Sequence, residues 1–336
     1  VSVDSLSQLD LYGTVNPGGK AMIRINPGIG AGHHKKVVTA GKETKFGIDP
    51  TAMDDVRALL KKHNLTLAGI NQHIGSLFME PDSYLNAIDF LLHFVQTDLA
   101  DLFPSLELID FGGGLGIPYH KYENQPRLDM EALGTRLHAK LSAWVDETGY
   151  KGKFFIEPGR YVTAECGVLL GTVHATKFNG ENRYVGTDLG FNVLVRPAMY
   201  DSFHDIEIYR ENGQPDADLV EQTVVGNICE SGDILAKKRP LPLIREGDVL
   251  GVLDTGAYGF VMSSSYNQRP RAADIHGHQQ SSIVVGEPAQ QDGCRYVADD
   301  LTGQCRHRHG PVGQQLPEQC PHRLYPGHIA REGEKR

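Results

Sequence analysis

Three things are scarce in this sequence: long apolar runs, an excess of positive charge, and cysteine. The most apolar stretch runs from Ala87 to Val95, is interrupted by Asp89 and His93, and is too short to span a bilayer. The net charge of −9 argues against binding to nucleic acid or to an anionic membrane surface. The sequence shows no basic segment followed by an apolar one, the pattern of a secretory signal. We therefore expect a cytoplasmic protein that binds neither nucleic acid nor membrane.

Cysteine accounts for five of the 336 residues. In a chain of this size without an export signal, so few thiols do not indicate a disulfide framework. The last fifth of the chain combines cysteine and histidine, the residue types that bind zinc. These residues are Cys305, His307, His309, Cys320 and His322. Their spacing fits no standard zinc finger, and we predict no metal site.

Residues 1–160 contain a regular alternation of short apolar runs and helical patterns. The apolar runs lie at 1–5, 21–26, 67–76, 106–114 and 154–160, and the helical patterns lie near 51–63, 82–103 and 129–148. Alternation of this kind predicts a parallel sheet with helical crossovers. Each apolar run carries polar or glycine residues at its C-terminal end, which is where parallel sheets and barrels bind ligands.

The rest of the chain differs in character from this first part. Residues 161–275 contain strand-like runs separated by turn residues, with no long helical period, and this pattern predicts a β domain. Residues 276–336 are rich in Gln, His, Pro, Arg and Gly and show no sustained period, so we predict a poorly ordered tail. For a chain of 336 residues, two folded domains are the expected number.

The tetrapeptide EPGR directly follows a predicted strand. Glu157 could pair with the nitrogen of a pyridine ring and keep it protonated, which would make the ring an electron sink. Gly159 would let the backbone approach a phosphate, and Arg160 offers a two-pronged donor for a carboxylate. The same residues also fit a plain surface turn with a Glu–Arg pair. The tetrapeptide by itself does not decide between these two interpretations.

Two other predicted strands end in comparable segments. The segment LIDFGGGLGIPY places Gly113 and Gly114 in a glycine run that fits either a phosphate cradle or a tight turn. This run lacks the spacing of the dinucleotide-binding fingerprint. In QHIGS, His73 could stack on a flat ring and Ser76 could hydrogen-bond a phosphate. A single histidine is more often a structural residue, and that alternative stays open.

Three short motifs in the predicted β domain carry further candidate residues. RPAMY offers Arg196 and Tyr200, and GAYG offers Tyr258 on a turn between glycines. CESGD offers Cys229, a thiol that could donate a proton, and Glu230, a carboxylate that could bind an ammonium group. The alternative for Cys229 is a small buried apolar residue. Each motif is weak alone, but their occurrence together and in this order is specific.

Taken together, the segments HIGS, DFGGGLGIPY, EPGRYVTAECGVLL, RPAMYDSFH, CESGDILA and GAYGFVMSSSYNQRPR closely resemble the diaminopimelate decarboxylases. The resemblance covers residues 1 to about 274. These enzymes belong to the alanine-racemase-like, fold type III group that depends on pyridoxal 5′-phosphate. The resemblance implies an α/β fold, a partial TIM-type barrel, followed by a C-terminal β domain. It also implies decarboxylation of meso-diaminopimelate to L-lysine by a homodimer with shared active sites.

The resemblance assigns roles to the matching residues. His73 would stack on the pyridoxal ring, and Glu157 would face its nitrogen. The phosphate would be held by Ser76, Gly113, Gly114, Gly159 and Arg160. Substrate carboxylates would be bound by Arg160, Arg196 and Tyr200, and Tyr258 would touch both cofactor and substrate. Cys229 would be the catalytic proton donor and Glu230 a substrate contact, both acting in the active site of a second subunit.

The chain also departs from the family pattern. Its first residues, VSVDS, resemble the fourth barrel strand, so residues 1–160 would supply strands four to eight. We expect the preceding strands, with the Schiff-base lysine, to be missing, because none of Lys45, Lys140, Lys153 and Lys177 has the expected context. The sequence therefore predicts little or no decarboxylase activity for this chain alone. The alternatives are a non-catalytic regulatory or binding relative and an ornithine- or arginine-type decarboxylase.

Overall fold

The computed structural model describes residues 1–28, 31–32, 44–213, 215–278, 281–285 and 295–298. Within these residues the chain forms two compact units. The first unit comprises Val1–Pro118 and Gln125–Ala164. The second comprises Tyr119–Asn124 and the chain from Glu165 onward, as far as it is described. The short segment at 119–124 thus belongs to the second unit although the flanking chain belongs to the first.

The first unit is built around a parallel sheet. Its strands are β1 (Ser2–Val3), β2 (Lys20–Arg24), β3 (Ala31–Gly32), β4 (Thr66–Asn71), β5 (Gly75–Ser76), β6 (Leu108–Gly113) and β7 (Lys153–Glu157). Its helices are α1 (Leu6–Val15), α2 (Met53–Lys62), α3 (Pro81–Thr97), α4 (Met130–Thr148) and α5 (Gly159–Thr163). The order in the sheet is β1-β2-β4-β6-β7, with every pair parallel, while β3 and β5 pair separately. The predicted strand–helix alternation is confirmed.

The helices of this unit follow from local sequence. In α2, Met53, Val56 and Leu60 recur at helical spacing and are buried, so one face of the helix packs on the core. Helix α4 is capped by Asp129, whose side chain accepts a hydrogen bond from the Ala132 amide at 2.9 Å. The buried residues of both helices belong to the hydrophobic core of this unit.

Helix α1 is an element that the sequence patterns did not predict. Only Leu9 and Gly13 are buried in it, so its apolar period is weak. A β-carbon at Gly13 would lie within 2.6 Å of three His63 side-chain atoms, which shows that α1 packs closely against the residue that follows α2. Leu9 belongs to the core of this unit, and the close approach of Gly13 to His63 adds a second contact for this helix.

In its described residues the second unit is a mainly antiparallel β structure with one short α-helix, α6 (Arg196–Tyr200). Its strands are β8 (Gly167–Asn179), β9 (Asn182–Thr187), β10 (Ile206–Tyr209), β11 (Leu219–Val225), β12 (Ile234–Pro242), β13 (Val249–Val252), β14 (Ala273–His278), β15 (Ser281–Val285) and β16 (Arg295–Ala298). Over the described residues they form one sheet in which β9–β11 and β14–β16 are the parallel pairs. The predicted fold class, α/β plus β, is confirmed.

Strand β12 was not predicted, and its composition explains why. It contains the run Lys237, Lys238 and Arg239 and two prolines, Pro240 and Pro242, none of which favours a strand. The strand lies at one end of the sheet order and pairs with β11 alone. An edge strand tolerates proline because one of its sides needs no backbone hydrogen bonds.

The predicted tail, 276–336, falls mostly outside the described residues. Within it, the structure describes the end of β14 together with β15 and β16. The five cysteine and histidine residues considered above as zinc-ligand types also lie outside the described residues.

No group of side chains suited to hold a metal ion occurs in the described part of the chain. Among the helices there, none has the length and apolar character needed to cross a membrane.

Candidate active site

Three neighbouring strands of the parallel sheet end in candidate residues. His73 follows β4, Gly113 is the last residue of β6, and Glu157 is the last residue of β7. Because β4, β6 and β7 are consecutive in the sheet, their carboxyl ends lie side by side. Gly113 is paired directly with Glu157, and a β-carbon at Gly113 would lie 1.9 Å from the Glu157 carbonyl oxygen. Glycine is therefore required here for the two strand ends to meet.

The His73 ring is held by the backbone of β6. The Gly113 amide donates a hydrogen bond to His73 Nδ1 at 3.0 Å. Burial, and next the positive charge of Arg24, lower the pKa of His73 to about 4. His73 Nδ1 also lies 3.9 Å from Glu157 Oε2, but the neutral ring forms no salt bridge with that carboxylate. The imidazole is an uncharged flat ring at neutral pH.

Glu157 is the partly exposed acid of this site, with 55% of its side chain accessible. Its pKa is raised above the ordinary value by burial and then by the neighbouring Asp110 carboxylate, while Arg24 acts in the opposite direction. A carboxyl group with a raised pKa near solvent is suited to share a proton with a ring nitrogen. We call His73, Gly113, Glu157, Arg24 and Asp110 the carboxyl-end cluster.

Arg24 is a member of this cluster that the sequence analysis did not single out. It ends β2, its Nε lies 3.7 Å from Asp4 Oδ1, and its Nη2 donates to the His73 carbonyl oxygen at 3.5 Å. Its guanidinium also lies over the Phe46 ring, 4.7 Å from the centroid. The signal that could have found it is its position, because a charged residue ends a buried strand next to the strand that carries His73.

Ser76 and Arg160 form a second pair within the same unit. Arg160 donates to the Ser76 hydroxyl oxygen from Nη2 at 2.9 Å and from Nε at 3.3 Å. The guanidinium is buried, with the residue 6% exposed. Because the Ser76 oxygen accepts from Arg160, the hydroxyl hydrogen remains to be donated to an anion. A β-carbon at Gly159 would meet no atom within 4 Å, so there is open space beside the backbone of the EPGR turn.

Gly114 shapes the turn that follows β6. Its φ of +108° lies in a region that favours glycine, and a β-carbon there would be 2.4 Å from the Gly75 carbonyl oxygen. This close approach brings the glycine run against β5, which carries Ser76. The structure thus brings the predicted residues of the first unit onto adjacent strand ends. The remaining candidates, Arg196, Tyr200, Cys229, Glu230 and Tyr258, all belong to the second unit.

Arg196 begins α6 and is almost completely buried, with the residue 2% exposed. Its Nη1 lies 2.7 Å from His204 Nε2, and the other ring nitrogen of His204 lies 2.7 Å from the Leu253 carbonyl oxygen. The carbonyl accepts, so His204 Nδ1 carries the proton and Nε2 accepts from Arg196. The guanidinium also lies over the Tyr119 ring at 4.7 Å. Tyr200 is the last residue of the same helix.

Cys229 is an exposed free thiol, which does not fit the alternative of a small buried apolar residue. It lies with Glu230 in a turn organised by Asp233. The Asp233 carboxylate accepts from the amides of Phe191 at 2.6 Å and Ile228 at 2.7 Å. Burial raises the pKa of Asp233, against the effect of these amides. The buried acid therefore presents Cys229 and Glu230 on a fixed turn at the surface of this unit.

Tyr258 has a backbone conformation that costs energy. Its φ of +62° is uncommon for a residue with a β-carbon, and the residue is 39% exposed. Asp254, four residues earlier, also has a positive φ, of +59°. Strained residues of this kind cluster at functional sites when the surroundings hold them in place. The turn therefore presents Tyr258 in a defined direction.

Comparison with known proteins adds three findings. Residues 1–164 match the family model described as pyridoxal-dependent decarboxylase, pyridoxal binding domain. The diaminopimelate decarboxylase of Methanothermobacter thermautotrophicus is 37% identical over 289 residues, covering 85% of this chain and 66% of the relative. That of Buchnera aphidicola from Acyrthosiphon pisum is 37% identical over 303 residues, covering 85% of this chain and 69% of the relative.

Solved structures give the same result. A crystal structure of a diaminopimelate decarboxylase is 34% identical, with a TM-score of 0.77 over 84% of this chain and 68% of that chain. The Helicobacter pylori enzyme complexed with L-lysine is 28% identical, with a TM-score of 0.73 over 84% of this chain and 68% of that chain. The chain thus spans about two thirds of the length of the relatives it matches.

Proposed function

The chain belongs to the diaminopimelate decarboxylase family of pyridoxal-dependent decarboxylases, and on that premise we propose that it serves the decarboxylation of meso-diaminopimelate to L-lysine. The observation that carries the proposal is the carboxyl-end cluster. A neutral flat ring, a partly exposed acid and a glycine turn lie together at adjacent strand ends. This set of groups fits a phosphorylated pyridine ring better than a metal ion or a dinucleotide.

Pyridoxal 5′-phosphate, when bound, supplies a protonated heterocycle that withdraws electrons from the substrate carbon. Glu157 would hold the proton on the ring nitrogen, and its raised pKa suits that sharing. His73 would stack on the ring as an uncharged imidazole. Since His73 follows β4 and Glu157 ends β7, with β6 between the two strands, the two contacts would constrain the ring from a face and from an edge.

The phosphate would be held by backbone and hydroxyl groups. Gly113, Gly114 and the open space beside Gly159 let the main chain approach it, and the Ser76 hydroxyl can donate to it. At the phosphate, Arg160 would orient Ser76, to which it donates two hydrogen bonds, and would add positive charge. Removal of the Ser76 hydroxyl would leave the buried Arg160 donors without this acceptor.

The substrate would be bound by Arg160 and by the candidate residues of the second unit. We propose that Arg160, Arg196 and Tyr200 bind its carboxylates and that Tyr258 contacts cofactor and substrate. Arg196 donates to His204 Nε2, and this contact holds its guanidinium in place. The exposed Cys229 thiol would deliver a proton to the substrate carbon after carbon dioxide leaves, and Glu230 would bind the distal ammonium group.

We further propose a homodimer in which Cys229 and Glu230 act in the active site of the other copy. Both residues lie on an exposed turn held by the buried Asp233, which suits a contact with a second copy. An exposed thiol such as Cys229 is typical of a reducing compartment, in line with a cytoplasmic location.

Spectroscopic titration tests the proposed function even if turnover is slow. The purified chain is titrated with pyridoxal 5′-phosphate and then with meso-diaminopimelate, L-ornithine or L-arginine. We expect saturable cofactor binding and a spectral change with meso-diaminopimelate at concentrations that leave free cofactor unchanged. A response to ornithine or arginine instead would assign the chain to another decarboxylase, and failure to bind the cofactor would overturn the proposal.

Lysine release is measured in the same samples. We expect little or no release from this chain alone, since none of its lysines has the sequence context of the cofactor-bearing residue. Robust release would contradict that expectation while supporting the substrate. Cofactor binding without a response to any of the three amino acids would favour a non-catalytic relative.

A further inference from the structure

The glycine turn at the end of β6, which contacts His73, is held by one side chain from β6 itself and one from α3. Asp110 Oδ1 accepts a hydrogen bond from the Gly112 amide at 2.9 Å, and the Tyr84 hydroxyl donates to the Gly112 carbonyl oxygen at 3.0 Å. Asp110 lies on β6 and is 8% exposed, and Tyr84 lies on α3 and is 1% exposed. Both polar groups of one peptide residue are therefore fixed by buried side chains.

Gly112 presses this turn against the chain that carries the imidazole. Its φ is +71°, and a β-carbon there would lie 2.3 Å from the Gln72 carbonyl oxygen and 3.0 Å from His73 Nδ1. The next residue, Gly113, then directs its amide at the same ring nitrogen from 3.0 Å. The positions of Asp110 and Tyr84 thus determine where this amide points.

We propose that Asp110 and Tyr84 are positioning residues that hold the Gly112–Gly113 turn, so that the Gly113 amide fixes His73 as the neutral tautomer with its proton on Nε2. A ring nitrogen that accepts from an amide cannot itself carry a proton, so the proton of the neutral ring must reside on the other nitrogen. Adding a second proton would require the Gly113 hydrogen bond to break.

The charged groups around the ring reinforce this assignment. Arg24 faces His73 from β2 and disfavours a positive imidazole, while Glu157 faces it from β7 with Oε2 at 3.9 Å from Nδ1. A proton on Nδ1 would be attracted by Glu157, so the amide of Gly113 competes directly with that alternative. The close packing of the turn gives the amide the shorter contact.

The functional benefit of a neutral His73 ring, which is stacking on the cofactor, rests on the proposed function. A positively charged imidazole stacked on a protonated pyridine ring would repel it, whereas a neutral ring can stack without that penalty. Asp110 would then serve the cofactor twice, because its carboxylate also raises the pKa of Glu157. The tautomer itself can be measured without cofactor, so its test is independent of the proposed function.

The experiment is nitrogen-15 NMR of the histidine rings in the cofactor-free chain, with the His73 signals assigned by their loss in His73→Asn. We expect His73 to show an unprotonated Nδ1 and a protonated Nε2, unchanged between about pH 8 and about pH 5.5. A proton on Nδ1, or titration of the ring within this range, would overturn the proposal. A failure of cofactor binding in the separate titration would affect only the proposed function.

Variants test the two positioning residues. Asp110→Ala should shift the tautomer ratio by about five-fold, the effect of one hydrogen bond, while Asp110→Asn should restore it because the amide oxygen can still accept from Gly112. Tyr84→Phe keeps the ring and loses the hydroxyl, so it should shift the ratio in the same direction. If Asp110→Ala does not fold, the proposal is tested by the His73 tautomer in the unmodified chain and in Tyr84→Phe.

The matched control is Tyr150→Phe, which removes the hydroxyl of another buried tyrosine in this unit. That hydroxyl donates to the Lys153 carbonyl oxygen at 3.4 Å. It should leave the His73 shifts unchanged. Equal spectra for Tyr84→Phe and Tyr150→Phe would remove Tyr84 from the proposal. An unchanged tautomer in folded Asp110→Ala would do the same for Asp110.

Discussion

His73 in the first unit is partly buried and Asp254 in the second is buried, and both have pKa values shifted toward the neutral form, but they are surrounded differently. His73 faces the positive Arg24 and the Gly113 amide. Asp254 is 2% exposed, and its Oδ1 lies 2.6 Å from Lys121 Nζ. The first arrangement keeps the His73 ring uncharged beside the partly exposed Glu157, whereas the second pairs the charges of Lys121 and Asp254 inside the fold. The comparison separates a ligand site from a structural ion pair.

The Lys121 ion pair is itself a small network within the second unit. Lys121 Nζ also lies 2.8 Å from Glu165, whose side chain is 11% exposed. Burial alone would lower the pKa of Lys121, but Asp254 and Glu165 more than offset this effect and raise it. For Asp254 the balance is reversed, and burial raises its pKa to about 6 despite Lys121. The lysine is thus the group on which the network depends.

The largest effect is expected from Lys121→Met. It leaves two buried carboxylates without their cation, which typically costs about 3–5 kcal/mol of unfolding free energy. The control is Lys62→Met, whose exposed pair with Asp10 should contribute at most about 1 kcal/mol. The difference in unfolding free energy between the two variants is measured by urea denaturation, with hydrogen exchange of the β13 amides as the readout. An equal loss of stability in both variants would contradict the distinction between the buried Lys121 network and the exposed Lys62–Asp10 pair.

The next prediction concerns acid and the second unit. The pKa of Asp254 is raised from 3.8 to about 6, so the folded state binds this proton more tightly than the unfolded state. Protonation therefore stabilises the fold, by about 3 kcal/mol as the pH falls from about 6 to below 4, and this gain is lost as the pH rises. Asp254→Asn should remove this dependence, and Asp54→Asn, at a fully exposed residue, should keep it.

The first unit should respond to acid in the opposite direction. The pKa of His73 is lowered from 6.5 to about 4, so the unfolded state binds the proton more readily. Stability is present above pH 6.5 and is lost as the pH falls to about 4, by up to about 3 kcal/mol. Hydrogen exchange of β4 across this range measures it. His73→Asn should flatten the profile, whereas His138→Asn, on the exposed side of α4, should not. Parallel profiles for β4 and β13 would contradict the comparison.

A smaller effect is expected where the strands of the carboxyl-end cluster meet. Gly113→Ala places a β-carbon 1.9 Å from the Glu157 carbonyl oxygen and should cost about 1–3 kcal/mol. Gly134→Ala is the matched control, because a β-carbon there would meet nothing within 4 Å inside α4. That change should stabilise the chain by about 0.5–1 kcal/mol. Thermal unfolding of both variants checks the opposite signs.

Much of the fold and of the site could be predicted from the sequence. The helical and strand periods of the apolar residues indicate the elements, and the residues at the strand ends indicate the site. The parallel sheet followed from strand–helix alternation, and His73, Gly113 and Glu157 followed from their places after apolar runs. Helix α1 could not be predicted in the same way, since only Leu9 and Gly13 are buried in it and two positions do not make an apolar period. Strand β12 was hidden because its prolines are tolerated only at a sheet edge, and edges are set by long-range pairing.

Contacts between distant residues account for what the sequence did not show at the site. Arg24 is 49 residues from His73, and nothing in the local pattern predicts that its Nη2 donates to the His73 carbonyl oxygen. The burial of Arg160 against Ser76 is of the same kind, since the two residues are 84 positions apart. Sequence position identified the residue types, and the sheet order determined which of them meet.

The most direct test of the account is the affinity for pyridoxal 5′-phosphate of the unmodified chain and of Glu157→Gln, measured by absorbance titration. If Glu157 holds the proton of the ring nitrogen, loss of this charge-assisted hydrogen bond should weaken binding by about ten-fold to one hundred-fold. Glu131→Gln, at an exposed residue in the first turn of α4, should bind as the unmodified chain does. Equal affinities for all three proteins would contradict the assignment of Glu157 to the cofactor.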